Sequence, residues 1–166
     1  MSAEIIPDIS PEQERHMHEK VDEAVCNSMA WLLKIMGDQF GELAYQVFVK
    51  ARGKEIVSHM SKRAKELGDN SLEAFIKDQW EVLPAHGYSY TMEKLELGYL
   101  MKVTKCPLYD LAKRQGNTEQ MFYLCCEADQ YAPEGFNPNI GFKRSKTLMQ
   151  GDDCCNHFYF YNKESK

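Results

Sequence analysis

Residues 88–107 read YSYTMEKLELGYLMKVTKCP and mark the point where the hydrophobic pattern of the chain changes. Apolar and polar residues alternate on both sides of a turn near Gly98, with Tyr88, Tyr90 and Met92 before it and Tyr99, Met101 and Val103 after it. A period of two places such residues on one face of a β-strand. The stretch therefore predicts an antiparallel hairpin.

The chain before this hairpin has a helical period instead. Apolar residues recur at spacings of three and four from Met17 to Met36, which predicts a helix over 11–36 with Ser10 as its N-cap and Pro11 in its first turn. The same pattern runs from Phe40 towards Gly68, with a kink or break expected at Gly53, and resumes after residue 71 until residue 84. We therefore expect three or four packed helices within 11–82 and strands only after residue 86.

The chain after the hairpin predicts a helical insertion and a second pair of strands. Two short helices are expected on either side of Gly116, followed by strands over 140–148 and 155–161. The fold class is therefore α+β, with an N-terminal helical half packed on a four-stranded antiparallel sheet that carries a helical insertion. We expect 1–166 to form a single domain with a loose arm (1–10), a helical half (11–84) and a sheet-containing half (85–162) that holds the site.

Composition narrows the class of protein. The net charge of -5 and the scattered basic residues predict no nucleic-acid partner, and the absence of an apolar run of about 20 residues predicts no membrane span. The N-terminal residues lack the pattern of a secretion signal, so a cytoplasmic, bacterial-type protein is expected, with its six cysteines kept as thiols. The expected partner is a small-molecule substrate, and a homo-oligomer is left open.

The sharpest local motif is GDDCCNH, residues 151–157. A turn followed by a strand would point Cys155 and His157 to one face. These two side chains could form a nucleophile with its base, or supply two ligands to zinc. The competing interpretation is a hairpin turn whose Asp residues accept backbone N–H groups, with small buried thiols behind it.

A second group of candidates lies in residues 124–129, LCCEAD. On a helix Cys126 and Asp129 would share a face at spacing three, whereas Cys125 would point to the core. Cys106 stands where a strand meets Pro107, a position at which site residues are common. His86 lies in a turn just before the sheet.

Three blocks of the sequence resemble the family of L-2-amino-thiazoline-4-carboxylic acid hydrolases: KCPLYDLAKRQG (105–116), LCCEAD (124–129) and FKRSKTLMQGDDCCNHFYF (142–160). The run from Arg144 to Leu148 is similar to the family's Arg-Thr-Lys-Thr-Leu, followed by its Gly-Asp-Asp-Cys-Cys turn and aromatic strand. The resemblance covers 85–162 well and the helical half in outline. A looser similarity runs to the 4-vinyl reductase domain, a small-ligand-binding module.

The resemblance implies a hydrolase that opens a cyclic isothiourea or amidine by cleaving a carbon–nitrogen or carbon–sulfur bond. Its implied catalytic residues are Cys155 or Cys126 as nucleophile, His157 as proton shuttle, and Asp129 or Asp152 as partner of the amidinium. Its implied substrate-binding residue is Arg144, which would hold a carboxylate. Cys106, Glu127 and His86 are further substrate-binding candidates. The family blocks and the facing of the elements also predict that Cys106, Cys126 and Cys155 converge on one pocket and that Cys26 and Cys125 do not.

Two alternatives remain at this point. No cofactor is expected, but zinc or another divalent metal held by Cys106, Cys126 and Cys155 would activate a water instead. A non-catalytic binding module like the 4-vinyl reductase domain is the alternative function.

Overall fold

The structure is a computed structural model that describes residues 10–162. The order of elements is α1 (Pro11–Phe40), α2 (Glu42–Leu67), α3 (Leu72–Trp80), a 3-10 turn (Leu83–His86), β1 (Ser89–Leu95), β2 (Gly98–Lys105), α4 (Pro107–Gln115), α5 (Thr118–Met121), a π-helical turn (Phe122–Cys126), a 3-10 turn (Glu127–Gln130), α6 (Tyr131–Phe136), β3 (Ile140–Lys143), a 3-10 turn (Leu148–Gln150) and β4 (Cys155–Tyr161). The predicted α+β class and the change from helices to strands near residue 86 are confirmed. The predicted loose arm, 1–10, lies outside the described residues except for Ser10, which caps α1.

Helix α1 begins as its sequence predicts and ends later. Ser10 accepts the backbone N–H of Gln13, whose side chain accepts the backbone N–H of Ser10 in return, so the first turn carries a reciprocal cap. The predicted end at residue 36 is wrong, because Gly37 is a packing position rather than a terminator. A Cβ there would lie 2.3 Å from the Tyr45 hydroxyl oxygen. The helix ends instead at Gly41, whose φ of 65° breaks the helical path.

The break expected at Gly53 is also wrong, since α2 continues through it. The ring of Tyr131 lies so close to Gly53 that a Cβ would meet it at 2.5 Å. Because Gly53 has no side chain, the Tyr131 ring can pack directly against α2. The helix continues without a break.

The sheet is antiparallel throughout, in the order β1-β2-β4-β3. Its inner face is built from residues of the two central strands that pair across the ladder: Tyr99 with Tyr159, Met101 with His157, and Val103 with Cys155. Strand β3 is shorter than predicted and stops at Lys143. Beyond it the Asn156 side chain accepts the backbone N–H groups of Ser145 and Lys146, which replaces the ladder that a longer strand would need.

The main core lies between this inner face and α3. The ring of Phe75 packs against Phe136 and Tyr159, and Trp80 packs against Tyr90 and His157. Because α3 covers the middle of the sheet, it also forms one wall of the site described below. Within residues 10–162 no helix is both long and apolar enough to cross a bilayer.

Close packing of α6 on α2 depends on Gly135. A Cβ at this position would lie 2.6 Å from Cα of Val57 and 2.7 Å from its carbonyl oxygen, both backbone atoms that cannot move alone. We expect Gly135→Ala to lower the free energy of unfolding by about 3 kcal/mol through this overlap. Gly116→Ala is the matched control: it has open space but a φ of 68°, and should cost only about 1 kcal/mol. Urea denaturation measures both, and equal losses would contradict the packing argument.

Candidate active site

A cavity of about 210 Å³ lies between the inner face of the sheet, α3 and the helical insertion. Its aromatic lining residues are Phe75, Trp80, Tyr88 and Tyr159. Its polar and titratable lining residues include Cys106, Cys125, Cys126, Asp129, Arg144, Cys155 and His157. Pockets for drug-sized ligands start at roughly 300 Å³, so this cavity suits a smaller molecule.

The structure brings Cys106, Cys126 and Cys155 to this one cavity, as the sequence predicts, although their chemical roles stay predictions. Cys26 does not line it. Cys125 was predicted to stay out of this pocket, and that prediction is wrong: it lines the cavity as well as packing against a core cluster. The segment winds as a π-helical turn, in which neighbouring residues are separated by a smaller angle than in an α-helix, so both members of the Cys125–Cys126 pair reach the same space.

The charged centre of the cavity is the pair formed by Asp129 and Arg144. The guanidinium Nη1 lies 2.5 Å from Asp129 Oδ2 and 3.1 Å from the carbonyl oxygen of Cys126. It also lies over the rings of Phe122 and Phe142, with the Arg144 side chain only 9% exposed. A guanidinium so withdrawn from water needs a counter-charge, and Asp129 supplies it.

His157 is the second partner of Asp129. Its Nε2 lies 3.4 Å from the same Oδ2, and its ring contacts Trp80 and Phe142. Its Nδ1 is buried and has no hydrogen-bond partner within residues 10–162. A carboxylate beside Nε2 favours the tautomer with its proton there, which leaves Nδ1 as a proton acceptor.

Cys155 is held by the loop that precedes its strand. Its Sγ accepts the backbone N–H of Leu148 at 3.3 Å and lies 3.6 Å from Thr147 Oγ1. These two contacts fix the position of the sulfur at the start of β4. Cys155 and His157 lie two residues apart on one face of β4, about 7 Å along the strand, which leaves room for a small substrate between them.

The other cavity thiols have raised pKa values. Burial raises the pKa of Cys125 to about 12, and burial together with the nearby Asp129 raises the pKa of Cys126 well above its ordinary range. Burial also raises the pKa of Cys106, opposed by the backbone N–H groups of Tyr109 and Leu108 at the start of α4. Cys125 and Cys126 are therefore neutral thiols at neutral pH.

Three of the candidate residues lie apart from this cavity. Asp152 accepts the backbone N–H of Thr147 at 2.7 Å and so stabilises the turn before β4. Glu127 lies on the outer side of Arg144, 3.9 Å from its Nη2, in a separate surface groove. His86 lines another groove between α1 and α4, together with Cys26. Their proposed roles at the reacting atoms have no support from this geometry.

The sequence left open a metal held by Cys106, Cys126 and Cys155, although no cofactor was expected. Within residues 10–162 no three His, Cys, Asp or Glu side chains are arranged so that they could hold a metal ion. The cavity residues therefore do not fit the metal alternative as the sequence framed it.

Two aromatic cavity residues were not predicted as site residues. Trp80 lies on the buried face of α3, and its ring also lines the cavity beside His157. Tyr88 was read as part of a strand face, but it precedes β1 and its hydroxyl interacts with Cys106. No local motif marks either residue, because aromatic residues at element periods are common in any core.

The family model described as L-2-amino-thiazoline-4-carboxylic acid hydrolase matches residues 13–159 of the chain. The match takes in the cavity residues and nearly the whole helical half. No curated protein and no solved structure matches the chain significantly.

Removing the counter-charge of Arg144 tests the charged centre. Asp129→Asn should lower the free energy of unfolding by about 2 kcal/mol, because it leaves a guanidinium that is 9% exposed without its partner carboxylate. The matched control is Asp153→Asn, which breaks an exposed pair with Lys146 and should leave stability nearly unchanged. Thermal and urea unfolding compare the two variants.

The raised pKa values of Cys125 and Cys126 predict that these thiols resist alkylation. A pKa of about 12 leaves roughly one thiolate in 10⁴ at pH 8. Iodoacetamide at that pH should leave both residues unmodified in the folded protein and modify both after denaturation, as read by peptide mass spectrometry. Rapid labelling of Cys126 in the folded state would contradict the assigned burial.

Proposed function

The chain belongs to the L-2-amino-thiazoline-4-carboxylic acid hydrolase family, and we propose that it hydrolyses a small cyclic isothiourea or a related cyclic amidine. The observation that carries this proposal is Asp129, which lies between Arg144 and His157 at one wall of a small cavity. A titratable pair in a partly apolar cavity is an arrangement suited to hydrolysis.

The shape and charge of the cavity favour a planar cation with a carboxylate. Asp129 would bind the protonated amidine, and the faces of Trp80 and Tyr159 would add cation–π attraction. Arg144 would bind a carboxylate of the same substrate. In the structure Asp129 and Arg144 form an ion pair with each other. A zwitterionic substrate would offer its cation to Asp129 and its carboxylate to Arg144.

In the first half of the reaction, the proton of Cys155 passes through one water molecule to His157 Nδ1, because the two side chains do not contact each other. The thiolate attacks the carbon between the ring nitrogen and the ring sulfur. The new bond joins that carbon to Cys155 Sγ. The bond to the ring sulfur then breaks, and the departing sulfur receives the proton from His157. The ring is open, and its former amidine carbon remains attached to the enzyme.

In the second half a water loses a proton to His157 and adds to the same carbon. The bond to Cys155 then breaks, and the proton returns to its sulfur. The sum is the addition of one water, which converts the cyclic isothiourea into a free thiol and a urea group. Protonation of the amidine, held by Asp129, keeps the carbon electrophilic in both halves.

The alternative function, a non-catalytic module like the 4-vinyl reductase domain, calls for a cavity lined mainly by apolar side chains. The presence of Asp129, Arg144 and His157 in the lining favours the hydrolase. Phe75, Trp80 and Tyr159 would serve either function. A measurement of turnover therefore distinguishes the hydrolase from the binding module.

We expect Cys155→Ala to reduce the hydrolysis of cyclic isothioureas by several orders of magnitude, because it removes the attacking sulfur. Cys154→Ala is the matched control, since this neighbouring buried thiol does not line the cavity. Asp152→Asn should also retain turnover, because an amide oxygen can still accept the Thr147 N–H. The assay follows release of a free thiol from 2-amino-thiazolines and related rings.

A wild-type protein that binds these rings without releasing a thiol would replace the hydrolase with the binding module. Full turnover by Cys155→Ala would remove Cys155 from the mechanism and leave the His157–Asp129 pair to activate water directly.

A further inference from the structure

Helix α1 has two apolar faces, and the fold uses one of them. Ala30 and Leu33 are buried against the rest of the protein. On the opposite side of the helix lies what we call the α1 seam: Met17, Val21, Ala24, Ser28, Trp31 and Ile35, all exposed. The seam residues follow one another at spacings of 4, 3, 4, 3 and 4, the heptad pattern of a helix that packs along another helix.

The first part of α1 has little support within the chain. Every residue from 10 to 22 is exposed, so the first three turns of this helix bury no side chain against the body. Helical segments of this length are marginal in water without packing against another element. Something that covers the seam would supply that packing.

The order of side-chain sizes along the seam indicates what covers it. Two large residues stand at each end, Met17 and Val21 before the centre and Trp31 and Ile35 after it, with the small Ala24 and Ser28 between them. This order is nearly the same in both directions. A patch that is complementary to itself under a two-fold rotation is the signature of a symmetric homodimer.

We propose that the α1 seam is the interface of a homodimer, in which two copies of α1 pack antiparallel. Val21 of one copy then faces Trp31 of the other, Met17 faces Ile35, and Ala24 faces Ser28. A parallel pair would instead oppose two Trp31 side chains in one layer and two Ser28 side chains in another. The bodies lie on the outer sides of the helix pair, because the buried face of α1 is opposite to the seam.

The exposed area agrees with an interface of this kind. Trp31 is 66% exposed and Val21 is 59% exposed, unusual values for such side chains on a helix. With the flanking Val25 and Leu32, the seam leaves on the order of 600 Å² uncovered per copy, which doubled reaches the lower limit of roughly 1,200 Å² for stable complexes. The Ser28 hydroxyl already donates to the Ala24 carbonyl at 2.8 Å, so its burial would leave no unpaired donor.

Sedimentation velocity of the full chain tests the proposal over a range of concentrations. The wild type should sediment at twice the monomer mass of 19.2 kDa. Val21→Glu and Trp31→Glu should each weaken the dimer by roughly 100-fold, because each places a charge in an apolar interface. Met92→Glu is the matched control: this residue is 56% exposed on β1, away from the seam, and the variant should remain dimeric.

A double variant tests whether the two helices pack antiparallel or parallel. A separate measurement tests whether α1 still folds in each variant. The double change Val21→Glu with Trp31→Lys places opposite charges across an antiparallel pair and like charges across a parallel one. It should recover part of the dimer that either single Glu change loses. Far-UV circular dichroism of each variant shows whether α1 remains helical.

A monomeric wild type would overturn the proposal, as would a dimer that survives both Glu changes. Failure of the double variant to recover any dimer would overturn the antiparallel arrangement. A monomer whose α1 binds vesicles of phosphatidylglycerol and phosphatidylcholine would assign the seam to a lipid surface instead. Because these readouts measure association and not turnover, they are independent of the proposed hydrolase activity.

Discussion

The buried guanidinium of Arg144 is the constraint on which the site depends. Arg144 is the first residue after strand β3. The partners of its guanidinium, Asp129 and the carbonyl oxygen of Cys126, belong to the helical insertion. The contact therefore ties the insertion to the edge of the sheet. Because a charge so withdrawn from water is costly without its partner, the insertion cannot move away without a large loss in stability. The contact joins two parts of the cavity lining, the helical insertion and the segment after β3.

The same contact organises the chemistry of the cavity. Asp129 faces Arg144 and His157 at once, so one carboxylate both neutralises a cation and orients an imidazole. Burial keeps Cys125 and Cys126 neutral, whereas Cys155 receives a backbone N–H from the loop that its own strand follows. Several thiols share one space, but their surroundings give them different chemical properties. Cys106 also receives backbone N–H groups, but Cys155 shares a strand face with His157.

The sequence predicted the elements of this fold better than their ends. Glycines caused most of the errors: Gly37 and Gly53 were read as terminators or breaks, although each admits a tyrosine ring against a helix. A glycine that ends a helix and one that allows close packing look the same in a sequence, because both lack a Cβ. Cys125 was misplaced for a related reason, since the α-helical period assumed for 122–126 is not the period that the chain adopts there.

The sequence by itself determined the change from helical to strand period near residue 86, the shared strand face of Cys155 and His157, and the family to which the chain belongs. These are local properties, fixed by the spacing of side chains along one element. Only the tertiary structure decided that Asp129 pairs with Arg144, that Asp152 stabilises a turn instead of facing the cavity, and that Trp80 and Tyr88 form its walls. These contacts join segments far apart in the chain, and their geometry follows from how sheet and helices pack rather than from any local pattern.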